Sequence, residues 1–164
     1  MTKAARTPAQ PSQREAEAQL KAFIAKFEPA MQTRIRAARK TLRARFPTAF
    51  EMVYDNYNFF VIGYGPSLRP SEAILSLVAD ANGVGICLIQ GARLPDPKKI
   101  MRGAGKQTRS FPLEATAFLS HPDVEKLFGA AVVYSKVPFQ ASGRGPLVIR
   151  SVSAKQRPRQ KAVK

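Results

Sequence analysis

Leu20, Phe23, Ile24 and Phe27 recur at steps of three and four, the spacing that lays apolar side chains along one face of a helix. Ser12 and Glu15 stand three apart just before this stripe and read as a capping box, each side chain meeting the other's backbone donor. Pro29 suits the first position of a second helix, where its missing N–H is no loss. Met31, Ile35, Ala38 and Leu42 extend the apolar face, and Phe46-Pro47 stops it, because a residue before proline is pushed out of the helical region. From residue 50 the pattern changes. Segments 50–54 and 57–64 are rich in aromatic and β-branched residues, with Asp55-Asn56 between them as turn chemistry, which predicts a hairpin. Residues 65–70 read as a loop and 73–79 as a third strand. Asn82-Gly83 is a strong hairpin signal leading into a fourth strand over 84–90. A long loop over 91–106 precedes a fifth strand over 108–113. Residues 120–136 form a helix capped by Ser120 or His121, with Pro122 in its first turn and Val124, Leu127, Phe128 and Ala131 on its buried face. Residues 147–152 fit a last edge strand.

Helices, then a run of strands, then a helix argue α+β rather than the alternating units of a parallel sheet. The expected architecture is a two-layer sandwich. The N-terminal helices and the C-terminal helix pack on one face of an antiparallel sheet of about five strands. One domain over 12–152 lies between a disordered segment, 1–11, and a disordered basic tail, 153–164.

Charge adds a second layer. The 164 residues carry 27 Lys and Arg against 11 Asp and Glu, a formal net charge of +16. That exceeds what solubility asks of a small domain and attracts polyanions. The single cysteine, Cys87, forms no intramolecular disulfide and sits in an apolar run, where a buried structural thiol is expected. With His121 the sole histidine beside it, no Cys/His zinc set is available. Residues 1–13 lack the apolar segment of a secretory signal, and no run approaches a membrane span, so a cytoplasmic location is expected.

Three groups of residues carry candidate chemistry. Gly103, Gly105, Lys106 and Arg109 resemble part of a phosphate cradle, since glycines let backbone N–H groups turn toward an anion. A nucleotide-hydrolysing loop is excluded, because Ile100 stands where its first glycine belongs and Gln107 where Ser or Thr must follow the lysine. Glu51, Tyr54, Asp55, Tyr57 and, from the long loop, Asp96 are candidates for a pocket. On a strand Glu51 and Asp55 share one face and Tyr54 takes the other. Two acids in so basic a chain are expected to pair with arginines. Arg36, Arg39, Lys40 and Arg43 line one face of the second helix, and Lys155, Arg157 and Arg159 stand in a tail region that has no acid from residue 126 onward. Both suit contact with a phosphate backbone. No G-x-S-x-G or G-x-G-x-x-G is present, and Ser120-His121-Pro122-Asp123 reads as a helix cap rather than catalytic machinery.

The runs 50–58 (FEMVYDNYN), 91–97 (GARLPDP), 103–109 (GAGKQTR) and 149–159 (IRSVSAKQRPR) resemble the YdhG-like family of bacterial domains of unknown function over roughly residues 20–159. That resemblance implies a frataxin-like sandwich and, in one branch, an intracellular iron chaperone using an acidic ridge. Here the helical region 14–45 holds only Glu15, Glu17 and Glu28 among many basic residues, whereas hard cations need clustered oxygen ligands. The leading expectation is therefore a non-enzymatic binding domain without a cofactor or metal, its partner nucleic acid or a phosphate-bearing ligand. Iron handling or small-ligand binding is the alternative.

Overall fold

The computed structural model describes residues 11–163. Helix α1 runs Gln13–Ile24, and the Ser12 hydroxyl accepts from the Glu15 N–H at 3.2 Å. Helix α2, Pro29–Arg45, opens on Pro29 and ends at Phe46 ahead of Pro47. Six strands follow, β1 Phe50–Asp55, β2 Phe60–Gly65, β3 Leu75–Asp80, β4 Gly83–Leu88, β5 Arg109–Pro112 and β6 Leu147–Val152, with helix α3, Pro122–Val133, between the last two. The imidazole Nδ1 of His121 accepts from the Asp123 N–H and caps α3.

These strands make one sheet in the order β5-β4-β3-β2-β1-β6. Neighbours are antiparallel except β6, which runs parallel to β1. The fold is thus α+β with six strands rather than five, and the sheet is mostly antiparallel. A parallel neighbour needs a long return connection, and the chain between β1 and β6 includes every other strand and α3. The β3–β4 turn differs in register from the Asn82-Gly83 expectation. Asp80 pairs with Gly83, and the Asp80 carboxylate accepts from the N–H groups of Asn82 and Gly83. The Asp80 side chain, two residues before Asn82, organises the turn, so Gly83 has no need of a left-handed backbone.

Strand alternation sorts the sheet into two faces. Val53, Phe60, Ile62, Tyr64, Leu75, Leu77, Ile86 and Phe111 meet Leu20, Ile35, Leu42, Leu127 and Phe128 from the three helices, and Phe27 from the α1–α2 connection, in one core. The opposite face carries Tyr54, Val61, Val78 and Cys87, all half-buried. Cys87 therefore lies on this outer face rather than in the core, and partial burial raises its thiol pKa, keeping it protonated.

The basic tail departs most from expectation. Residues 153–160 form a strap against the β1–β2 loop and the end of α1. Ser153 and Arg157 donate backbone N–H groups to Asp55 O and Tyr57 O, and Gln160 reaches Lys26 O. Arg159 is 5% exposed, and one of its nitrogens meets Asp55 Oδ1 at 2.9 Å. Lys26 Nζ holds the other Asp55 oxygen at 2.7 Å. The reason is electrostatic: Asp55 is fully buried, and a buried carboxylate requires a partner. The disorder expected of residues 1–10 and of Lys164 lies outside the described residues.

At Leu147 the edge of β6 is closed by a side chain. The Gln13 amide donates to Leu147 O at 3.0 Å and accepts from Leu147 N at 2.8 Å.

Truncation after Val152 is expected to lower stability by about 2–4 kcal/mol, because it removes one of two cations from a buried carboxylate. Denaturant melts of the full and shortened chains measure this, and a free tail would leave the midpoint unchanged.

Candidate anion-binding groove

Helices α1 and α2 lie side by side, and an open groove of about 820 Å³ runs between their outer surfaces. Glu17, Lys21 and Ile24 line it from α1, and Arg36, Arg39, Lys40 and Arg43 from α2. The steps 36, 39, 40 and 43 keep all four on one side of α2, because three or four residues make about one turn. Pro47, Gly143 and Arg144 close one end. Arg144 is delivered there by a tight chain crossing. Gly145 donates to Pro47 O, and a Cβ at Gly145 would stand 1.7 Å from Ala49 O, so only glycine fits.

Six cations line the groove, Lys21, Arg36, Arg39, Lys40, Arg43 and Arg144. Two carboxylates oppose them, Glu17 on the wall and Glu51 beneath. Glu51 is 2% exposed and projects from β1 toward the helices. Arg39 Nε and Nη2 donate to its two oxygens at 3.0 and 2.9 Å, and the buried Tyr64 hydroxyl adds a bond of 2.9 Å. Glu17 grips Arg39 from the other side at 2.7 and 2.9 Å and touches Arg43 at 3.3 Å. Burial works against the Arg39 charge, but the bonds to Glu51 and Glu17 raise its pKa above the ordinary guanidinium value. The Arg39 hydrogen bond, with the nearby charges of Arg39, Arg43 and Arg144, lowers the pKa of Glu17. Burial raises the Tyr64 pKa, and the Glu51 charge raises it further, so the phenol stays a donor. Arg36, by contrast, bonds only Gln32 among the described residues, and both Arg36 and Lys40 are exposed. The groove thus has a neutralised floor and a charged, available rim.

The structure brings Arg36, Arg39, Lys40 and Arg43 into one site and leaves the other groups apart. Lys155 and Arg157 are exposed on the strap, where Arg157 lies over the Tyr57 ring at 5.8 Å, while Arg159 is buried on Asp55. The five residues grouped as a pocket do not make one. Glu51 and Asp55 share the core face, each occupied by cations, Tyr54 is on the outer face, Tyr57 is half-exposed, and Asp96 accepts from the N–H groups of Ile100 and Met101 in its own loop. The Gly103–Arg109 loop is also turned differently from an amide cradle. Gly103 has a positive φ of 134°, and Lys106 is exposed, but Arg109 donates to Gly105 O and Thr108 O at 2.6 and 2.8 Å. The loop thus turns two carbonyls, rather than a row of N–H groups, toward one nitrogen of its own guanidinium. The groove also recruits two cations that sequence reasoning passes over, Lys21 and Arg144. Lys21 lies four residues from Glu17, a spacing that carries a signal, whereas Arg144 reaches the groove only through the Gly145 crossing.

Among the described residues, no three His, Cys, Asp or Glu side chains gather as a metal site, and no helix is long and apolar enough to cross a membrane. No protein-family model, curated protein or solved structure matches the chain.

Asp55 and Glu17 both have lowered pKa values. For Asp55, burial opposes the shift, but Lys26, Gln156 and Arg159 outweigh it. Such groups add stability that is complete above their unfolded pKa values, near 4, and is lost as pH falls through the lower folded values. Thermal midpoints are expected to hold from neutral pH to about 5 and to drop below about 4. In Asp55→Asn the midpoint is lower at neutral pH and the acid drop is smaller, and an unchanged drop would remove Asp55 from the account.

Proposed function

We propose that this chain is a non-enzymatic binding domain whose partner is nucleic acid, held by its phosphate backbone along the α1–α2 groove. One observation carries the reading: six cations converge on an open groove containing one exposed-side carboxylate, with Arg36 and Lys40 on its rim. Phosphate contacts of this kind supply most of the nonspecific affinity for nucleic acid. Arg36 to Arg43 spans about 10 Å of helix, so the row meets several charges of an extended polyanion rather than one. Ala18, Ala44 and Pro47 give it exposed apolar walls against which bases can pack. The exposed Tyr57 ring with Arg157 over it provides a second stacking surface of the type single-strand binders use. A cytoplasmic setting and likeness to the YdhG-like domains belong to the same reading. The iron handling that this likeness implies is set aside, because Glu17 and Glu51 are held by guanidinium groups.

The test is fluorescence anisotropy of a labelled single-stranded oligonucleotide with the full chain across a salt series. The logarithm of affinity is expected to fall linearly with the logarithm of salt. Arg36→Gln/Lys40→Gln should reduce that slope by about 1.4, at about 0.7 for each phosphate no longer neutralised. Absence of binding at low salt, or a slope indifferent to both substitutions, overturns the proposal.

A further inference from the structure

The two carboxylates on Arg39 are not equivalent. Glu51 reaches it from the core, 2% exposed and itself bonded by Tyr64, so it fixes the guanidinium and cannot leave without stranding a buried charge. Glu17 reaches the same guanidinium from the groove with a side chain 43% exposed. Its oxygens occupy Nη1 and Nη2 of Arg39 and Nη1 of Arg43, the donors a phosphoryl group entering the groove would use. A planar guanidinium binds carboxylate and phosphate in the same two-pronged way. Displaced Glu17 also has somewhere to go. Lys21 is four residues ahead on α1 and exposed, and Glu preceding Lys at this spacing is the favourable orientation on a helix.

We infer that Arg39 and Arg43 form a second, concealed phosphate site in the groove floor, closed by Glu17, which a backbone phosphate displaces toward Lys21. The inference rests on the nucleic-acid reading and deepens it. Arg36 and Lys40 make the first contacts, and Arg39 and Arg43 become available only to a group that outcompetes a carboxylate. Glu51 keeps Arg39 aimed in both states, so the site is organised before the ligand arrives. Glu17 therefore sets a threshold against weakly bound anions, and removing its charge lowers that threshold.

The experiment compares binding of a labelled oligothymidine to the wild-type chain, Glu17→Gln and Glu15→Gln at one low salt concentration, with the melting temperature of each. Glu15 is exposed on the same helix and its replacement changes the net charge equally, but it bonds neither arginine. Glu17→Gln is expected to tighten binding by about tenfold, the scale of one competing charge-assisted hydrogen bond, and Glu15→Gln by much less. In wild type, the side-chain N–H signals of Arg39 and Arg43 should shift on adding the oligonucleotide, a readout that stands even if Glu17→Gln folds poorly. Equal affinities in the two variants, with those arginine signals unmoved, overturn the concealed site. If Arg36→Gln/Lys40→Gln still weakens binding in that case, the groove reading survives alone. If neither wild type nor Glu17→Gln binds, both readings fall.

Discussion

Two ionised carboxylates on the core face of a single strand organise this molecule. Glu51 and Asp55 stand on the same face of β1 and are 2% and 0% exposed. Leaving either unpaired would cost several kcal/mol, so each draws cations from distant parts of the chain. Glu51 takes Arg39 from α2, and Arg39 in turn takes Glu17 from α1. Asp55 takes Lys26 from the turn after α1 and Arg159 from the strap. The apolar core could be satisfied by several helix placements, because hydrophobic burial is non-directional. The ion pairs are directional, and they select one placement.

The groove follows from the same constraint. Arg39 is anchored from below by Glu51 and from the side by Glu17 of α1, and on the same side of α2 Arg36 and Lys40 are left on the rim. The buried acid and the exposed cations are thus the two sides of one arrangement. The chain's large positive charge is not spread evenly: part is consumed inside, at Arg39 and Arg159, and part is displayed.

Most of the architecture was legible because it rests on local signals. The Leu20–Phe27 stripe, Ser12 as a cap, Pro29 and Pro122 as helix starts, and the aromatic strands each depend on neighbours a few residues away. The shared face of Glu51 and Asp55, and their pairing with basic side chains, also followed from strand alternation and composition. What escaped depends on partners far apart in sequence. Asp55 and Arg159 are 104 residues apart, and Gln13 and Leu147 are 134 apart. A segment such as SAKQRPRQK has no apolar periodicity to announce that it docks, because it is held by polar bonds to a carboxylate elsewhere. The loop at Arg109 shows the same limit: glycines and cations signal an anion cradle, but where its carbonyls turn is settled only by the folded turn.

The Gln13 amide on Leu147 has a bearing on self-association. An uncovered sheet edge is a template on which another chain can add a strand. At one margin of this sheet, Gln13 occupies both backbone groups of Leu147, and the pairing of β6 is interrupted by a bulge that leaves Arg150 exposed. At the other margin β5 is only four residues long, ends in Pro112, which has no N–H to offer, and is bridged by Arg102 at Ser110. Short length, proline, an irregularity and charge are recognised defences against edge-to-edge growth. A concentrated solution of this protein should accordingly resist fibrillar aggregation, even when counterions or a polyanion cancel the mutual repulsion that otherwise keeps its molecules apart.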